Sequence, residues 1–90
     1  MLVPSGKSRG FYQKPIGQQQ VTDLNGIGTV LGARLCAVGF DSARTVLGHF
    51  LVLKMDKETF IQWLKEACKA NSKQALDCYE CLQEWCECFL

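Results

Sequence analysis

Asn25-Gly26-Ile27-Gly28 lies between a short apolar run, Val21 to Leu24, and a helical one, Thr29 to Val38. Two glycines one residue apart suit a tight turn in which the backbone passes very close to something. The second glycine opens a helix, so the first unpaired N–H groups of that helix point outward from the turn. Unpaired donors and the positive end of the helix dipole coincide there, which makes such a start a seat for a phosphate. A Gly-x-Gly pair by itself is equally a plain loop between two helices, and the rest of the chain has to decide.

Working outward, the order of short helix, Gly-x-Gly turn and second helix over residues 21–39 resembles a helix-hairpin-helix, a module that holds the nucleic-acid backbone without reading bases. Val30, Leu31, Leu35 and Val38 fall at helical spacing and are expected to face inward. Arg34 falls on another side, where it either reaches a phosphate or stays a solvated surface charge. Gly39 ends the helix as a C′ glycine. Asp41-Ser42 is a good N-cap. The helix it starts, through Val46-Leu47-Gly48-His49-Phe50-Leu51-Val52-Leu53, is apolar almost all round, so one face is expected to meet another chain. Gly48 in its middle costs about 1 kcal/mol against alanine, and a close-packed neighbour would account for it. A dimer interface is favoured there over an intrachain contact. His49, the one histidine, reads as structural.

Asp56 is placed to cap a helix over Lys57 to Lys69, with Phe60, Ile61, Leu64, Ala67 and Cys68 on one face and Trp63 at its edge. Asn71-Ser72 breaks the chain and caps a last helix over Lys73 to Cys88. The expectation is one all-α domain, a compact bundle of five or six short helices. Before it, Met1 to Gly10 forms a polar arm, either a solvated terminus or a basic arm that touches phosphates, with serines open to phosphorylation. Phe11 and Tyr12 are expected to pin the arm, Pro15-Ile16-Gly17 to turn, and Gln18 to Gln20 to act as a linker.

Ninety residues with 48% hydrophobic and 21% charged residues suit a small globular domain that gains from pairing with a second copy. A net charge of +1 excludes a simple polycation, so any nucleic-acid contact rests on local donors. No segment has the apolar length of a membrane span, and no signal peptide is evident. The six cysteines are therefore expected as free thiols. Cys78, Cys81, Cys86 and Cys88 invite a zinc proposal, but at about 100° per residue Cys86 swings away from the face of the other three. Cys78, Leu82, Trp85 and Phe89 read as a core face instead. Cys78-Tyr79-Glu80-Cys81 lies within a helix rather than opening one, against a redox motif. There is no P-loop, no pair of catalytic carboxylates, and no lysine in the helix after the hairpin, as a helix-hairpin-helix glycosylase would require. The reading is a non-enzyme with neither cofactor nor metal.

Leu24-Asn25-Gly26-Ile27-Gly28, Val30-Leu31-Gly32, Gly39-Phe40-Asp41, Val46 to Lys54, Trp63-Leu64-Lys65 and Leu82 to Leu90 together resemble the barrier-to-autointegration factor family, in order and over nearly the whole chain. The resemblance implies a compact SAM-like helical homodimer whose two DNA sites face apart, so that it bridges two duplexes. It implies LEM-domain proteins of the inner nuclear membrane and lamin as partners, and a kinase acting on the arm. Nuclear location at chromatin and the nuclear envelope, and also the cytoplasm, goes with it. By position, DNA contacts would come from backbone groups of Gly26, Ile27, Gly28, Val30 and Leu31, with Lys7 and Arg34 as charged donors and Lys73 as a further contact. The interface would include Leu47, Gly48 and Leu51, and Val52 would help form the LEM-domain groove.

The chain departs from the family pattern at several positions. Only Ser5 matches the phosphorylated serine, and Pro4 beside it works against kinase recognition. Ala33 stands where a lysine is usual, and Thr59 where a leucine is expected near the groove. Weaker DNA and partner binding is expected. The rival reading is a diverged paralogue, a dimerisation and protein-interaction module with weak or no DNA binding. A third reading, a metal- or thiol-dependent regulator, predicts stoichiometric zinc.

Overall fold

Short polar residues punctuate this chain, and the helices run between them. The computed structural model describes Ile16 and residues 19–90. Among the described residues there are four α-helices and no strand: α1 (Thr29–Ala37), α2 (Ala43–Val52), α3 (Lys57–Cys68) and α4 (Ser72–Phe89). A 3-10 turn, Val21–Asp23, directly precedes them. The all-α class holds, and the expected five or six helices become four plus that turn. The first arm of the hairpin is too short for an α-helix and survives by packing, with Val21 and Leu24 buried.

Two helix starts are capped by side chains as the sequence suggests, while the expected cap at α2 does not form, the Ser42 hydroxyl having no hydrogen-bond partner. Asp56 Oδ2 accepts from the Thr59 N–H at 2.9 Å at the start of α3. Asn71 Oδ1 accepts from the Gln74 N–H at 2.8 Å, while Gln74 Oε1 accepts from the Asn71 N–H at 2.9 Å, a reciprocal capping box on α4. At α2, Thr45 Oγ1 accepts from the Ser42 N–H at 3.3 Å and donates to the Ser42 carbonyl at 2.7 Å.

α1 ends in a full Schellman motif. The Phe40 N–H bonds to the Leu35 carbonyl at 2.8 Å and the Gly39 N–H to that of Cys36 at 3.1 Å. Gly39 has φ +96°, the left-handed conformation that glycine supplies without steric cost. Val38, the C-cap, has already left helical geometry, which turns it outward, more than half exposed. Val30 is also exposed, because it lies 100° round from Leu31. The inward face of α1 is thus Leu31 and Leu35 alone among the four residues proposed for it.

One core joins the elements, built on Leu24, Leu35, Val46, Phe50, Phe60, Leu64 and Leu82. α1 packs on α3 and on the 3-10 turn, α2 packs on that turn, and α3 packs on α4. Gly32 is buried in α1, and a Cβ there would press on Thr22 Cγ2 at 2.9 Å, so this glycine lets the 3-10 turn close on the helix. Gln19 is buried rather than a free linker, and its carbonyl accepts from the Ala43 N–H at 3.2 Å. On α4, Cys78, Cys81, Leu82 and Cys86 face the core, and Cys88 is half-buried. Cys86 therefore belongs to the inward stripe and Cys88 to its rim, the reverse of the expected split. Phe89 is exposed and stacks on Trp85 with centroids 5.0 Å apart, so it is not a core residue among the described elements.

Candidate nucleic-acid interface

The hairpin begins with a β-turn. The Ile27 N–H donates to the Leu24 carbonyl at 3.1 Å, which closes Leu24-Asn25-Gly26-Ile27. Gly26 occupies the third position with φ +84°, while Asn25 keeps a negative φ, the signature of a type II turn. A Cβ at Gly26 would also collide with the Gln74 carbonyl oxygen and crowd Asp77 Cβ at 3.2 Å. Gly26 is therefore glycine twice over, for its dihedral and for its contact with the first turn of α4.

Gly28 is glycine for a different reason. It is the N-cap of α1 with an extended backbone (φ −92°, ψ −168°), a conformation open to any residue. Nothing lies within 4 Å of where its Cβ would be. With no side chain to cap and no acid in the first turn, α1 starts without a side-chain cap. Its first in-helix bond is Gly32 N–H to the Gly28 carbonyl at 2.8 Å, so the N–H groups before Gly32 have no intrahelical acceptor. Ile27 and Leu31 are buried, at 3% and 6% exposure, so neither offers a side chain, and the Ile27 N–H is already held by the Leu24 carbonyl; Val30 shows its side chain at 61%.

The neighbouring charges are few. Lys73 lies at the start of α4, beside the turn that Gly26 touches, and pairs with Asp77 Oδ1 at 3.3 Å. Its side chain is 82% exposed, so the pair is a weak surface one and the ammonium stays available. Arg34 is not a free surface charge: its Nη1 donates to the carbonyl of Cys68, the last residue of α3, at 3.2 Å. Ala33 is exposed on the same helix and adds no charge. Lys7 and Ser5 lie outside the described residues, as does the rest of the arm with Phe11 and Tyr12.

The proposed association face lies on α2. Leu47 is buried in its own core, whereas Gly48, Leu51 and Val52 are exposed. A Cβ at Gly48 would have nothing within 4 Å, so no neighbour within the described chain accounts for this glycine. His49 joins Trp63 and Phe40 in one aromatic cluster, tilted against Trp63 at 4.3 Å and edge-on to Phe40 at 5.3 Å, as a structural aromatic. Beside this face runs an open groove of about 620 Å³ lined by Leu53, Glu58, Thr59, Gln62, Trp63 and Glu66. The turn at its edge holds Lys54 and Met55 both left-handed (φ 60° and 61°), closed by the Asp56 N–H to the Leu53 carbonyl at 3.2 Å.

The thiols sort by burial. Cys68, Cys78, Cys81 and Cys86 are buried, and burial pushes the thiols of Cys68, Cys78 and Cys86 above the usual cysteine range, Cys78 most of all. Such thiols stay protonated and inert. Among the described residues, no group of three or more His, Cys, Asp or Glu side chains is placed to hold a metal ion.

A family model described as barrier to autointegration factor matches residues 3–89. The chain belongs to the barrier-to-autointegration factor family. It is 58% identical to barrier-to-autointegration factor of Drosophila melanogaster over 90 residues, covering all of both chains. It is 57% identical to barrier-to-autointegration factor B of Xenopus laevis over the same length, and 52% identical to the Homo sapiens protein over 89 residues, 99% of this chain and all of that one. Membership gives the chain the family's general character, that of a DNA-binding, chromatin-associated nuclear protein. Sequence reasoning overlooked the Gly26 contact with α4 and the Arg34 bond to α3, both of which span long sequence separations and leave no local signal.

Proposed function

We propose that this chain binds double-stranded DNA through its phosphates, without reading bases, and bridges two duplexes as a homodimer. The observation that carries this reading is the start of α1: uncapped, free of acids and open to solvent at Gly28. Main-chain N–H groups of Gly26 and of Gly28 to Leu31 take the phosphate, the Ile27 N–H being held by the Leu24 carbonyl, and the helix dipole favours it. Lys7 and Lys73 add charge. The exposed stripe of Gly48, Leu51 and Val52 on α2 supports the homodimer, since an apolar strip beside a bare glycine suits close approach of an identical helix. The groove beside it, lined by Trp63 and by Leu53, which follows the exposed Val52 in the chain, is the seat for a LEM-domain protein of the inner nuclear membrane, and lamin is a further partner. On this reading the protein acts in chromatin organisation and nuclear envelope assembly, with a cytoplasmic pool. Phosphorylation at Ser5 would add charge of about −1.5 to −2 and repel DNA. No catalytic role is assigned.

The test is a gel shift with unrelated duplexes of equal length, repeated as salt rises. Equal affinities that fall steeply with salt are expected, through counterion release. A strong preference for one sequence would refute the reading. A second reading, a dimerising interaction module without DNA binding, draws on exposed Ala33 and on Arg34 being engaged with α3. Absence of any shift, with a dimer on a sizing column, would favour it.

A further inference from the structure

We infer that Arg34 is a positioning residue, a strut that holds the α1 start in register with the α4 start, rather than a phosphate donor. The inference rests on the DNA reading above and concerns how the same site is kept in shape. α3 and α4 are joined by only Lys69, Ala70 and Asn71, so the corner between them is short. α1 and its hairpin touch that corner on both sides. On one side Gly26 lies against the backbone of Gln74 and the Cβ of Asp77, in the first turns of α4. On the other, Arg34 Nη1 bonds to the Cys68 carbonyl across 34 residues of chain. That carbonyl ends α3 and has no intrahelical donor, so a guanidinium satisfies it and also complements the negative end of the helix dipole. Lys69 next to it is left-handed (φ 62°), which turns the chain sharply and presents the carbonyl outward. With both contacts in place, the hairpin that carries the open amides of Gly28 is held on both sides of the corner from which the exposed Lys73 projects. Without Arg34 the hairpin keeps its apolar packing and its seat at Gly26 but loses its one described polar tie to the end of α3, and the corner is freer to shift against it.

The positions of two phosphates along one strand are fixed by the duplex, so affinity depends on that spacing. Arg34→Met on the full chain separates the possibilities, since it keeps the stem and removes the donor and the charge. Two measurements are made: thermal unfolding, and binding of a blunt duplex at about 10 °C between about 50 and 200 mM salt. The strut predicts a Tm lowered by roughly 4–8 °C, an affinity loss of ~3- to 10-fold while the variant is still folded, and an unchanged salt slope. Arg34→Lys, which keeps a donor of similar reach, should recover most of both losses. A log–log salt slope reduced by about one unit would make Arg34 a phosphate contact and overturn the inference. A lower Tm with unaltered affinity would also overturn it, leaving Arg34 purely structural. If the unmodified chain shifts no duplex, the DNA reading fails and takes the positioning role with it, whereas the Tm of Arg34→Met still reports the bond to Cys68.

Discussion

Gly26 and Gly28 stand two residues apart and are glycine for opposite reasons. At Gly26 the molecule is closed: the dihedral is left-handed and the backbone of α4 fills the place of a side chain. At Gly28 the molecule is open: the backbone is ordinary and the space is empty. A hairpin described as "two glycines for close approach" therefore mixes a folding constraint with a functional one. The first keeps the turn seated on α4, and the second leaves the α1 amides uncovered. Substitutions at the two positions should separate stability from binding.

The largest expected effect is at the closed glycine. Gly26→Glu looks from sequence like a probe of phosphate binding that spares helicity, but the contact with Gln74 corrects that. A side chain at φ +84° costs about 1–2 kcal/mol, and forcing it into packed backbone roughly 1–3 kcal/mol more. Thermal unfolding should show severe destabilisation, and a Tm within a degree of the parent would break the contrast between the two glycines. Gly28→Asp should do the reverse. An aspartate N-cap favours the helix by a few tenths of a kcal/mol over glycine, so Tm should hold or rise slightly. The carboxylate would take the α1 amides and repel DNA, so duplex binding should fall at least ~10-fold, about 1.4 kcal/mol. Retained binding at full stability would mean that the open amides are not the site.

A third glycine sharpens the same contrast. Gly48 is open in the single chain, like Gly28, but lies among apolar rather than polar neighbours. Gly48→Glu should fold normally and elute as a monomer, because a charge buried in an apolar contact costs several kcal/mol unless paired. Light scattering that still gives a dimer would move the association face elsewhere. Smaller effects follow from the closed core. In the native chain a thiol reagent should modify Cys36 quickly and Cys88 more slowly, with the four buried thiols reacting only on unfolding. Rapid labelling of Cys78 would show that the core opens locally. The smallest effect is at Asp56, whose carboxyl is held below its ordinary 3.8 by the Thr59 hydrogen bonds. A group with a depressed folded pKa stabilises the fold above its unfolded pKa and loses that contribution as pH falls through the folded value. The Tm difference between the parent and Asp56→Ala should therefore be full at neutral pH and fade below about pH 3.8. A difference that persists at pH 2 would show that the cap does not depend on charge.

How far these features were legible depends on how far apart the partners lie. Caps at Asp56 and Asn71 and the glycine stop at Gly39 act over three to five residues, and their residue types announce them. The Leu31 and Leu35 face follows from helical spacing. Val38 departs from that pattern because periodicity assumes the helix continues, and the Schellman turn ends it first. Val30 departs because a nine-residue helix in contact with two elements buries only a narrow stripe. The first hairpin arm reads as a helix but closes as a single 3-10 turn, since three residues are too few for α-helical bonding. The Gly26–Gln74 and Arg34–Cys68 contacts join residues 48 and 34 positions apart. No spacing rule reaches that far. The hairpin was readable as a candidate site, but not the division of labour between its glycines or the role of Arg34.

One consequence of the bare α1 start concerns acidity. Backbone amides have no proton to gain or lose in the range that cells visit. An anion seated there is held alike between about pH 5 and 9. If the proposed site holds DNA, letting go must then be driven by a competing negative group, since a drop in compartment pH offers such a grip nothing to respond to.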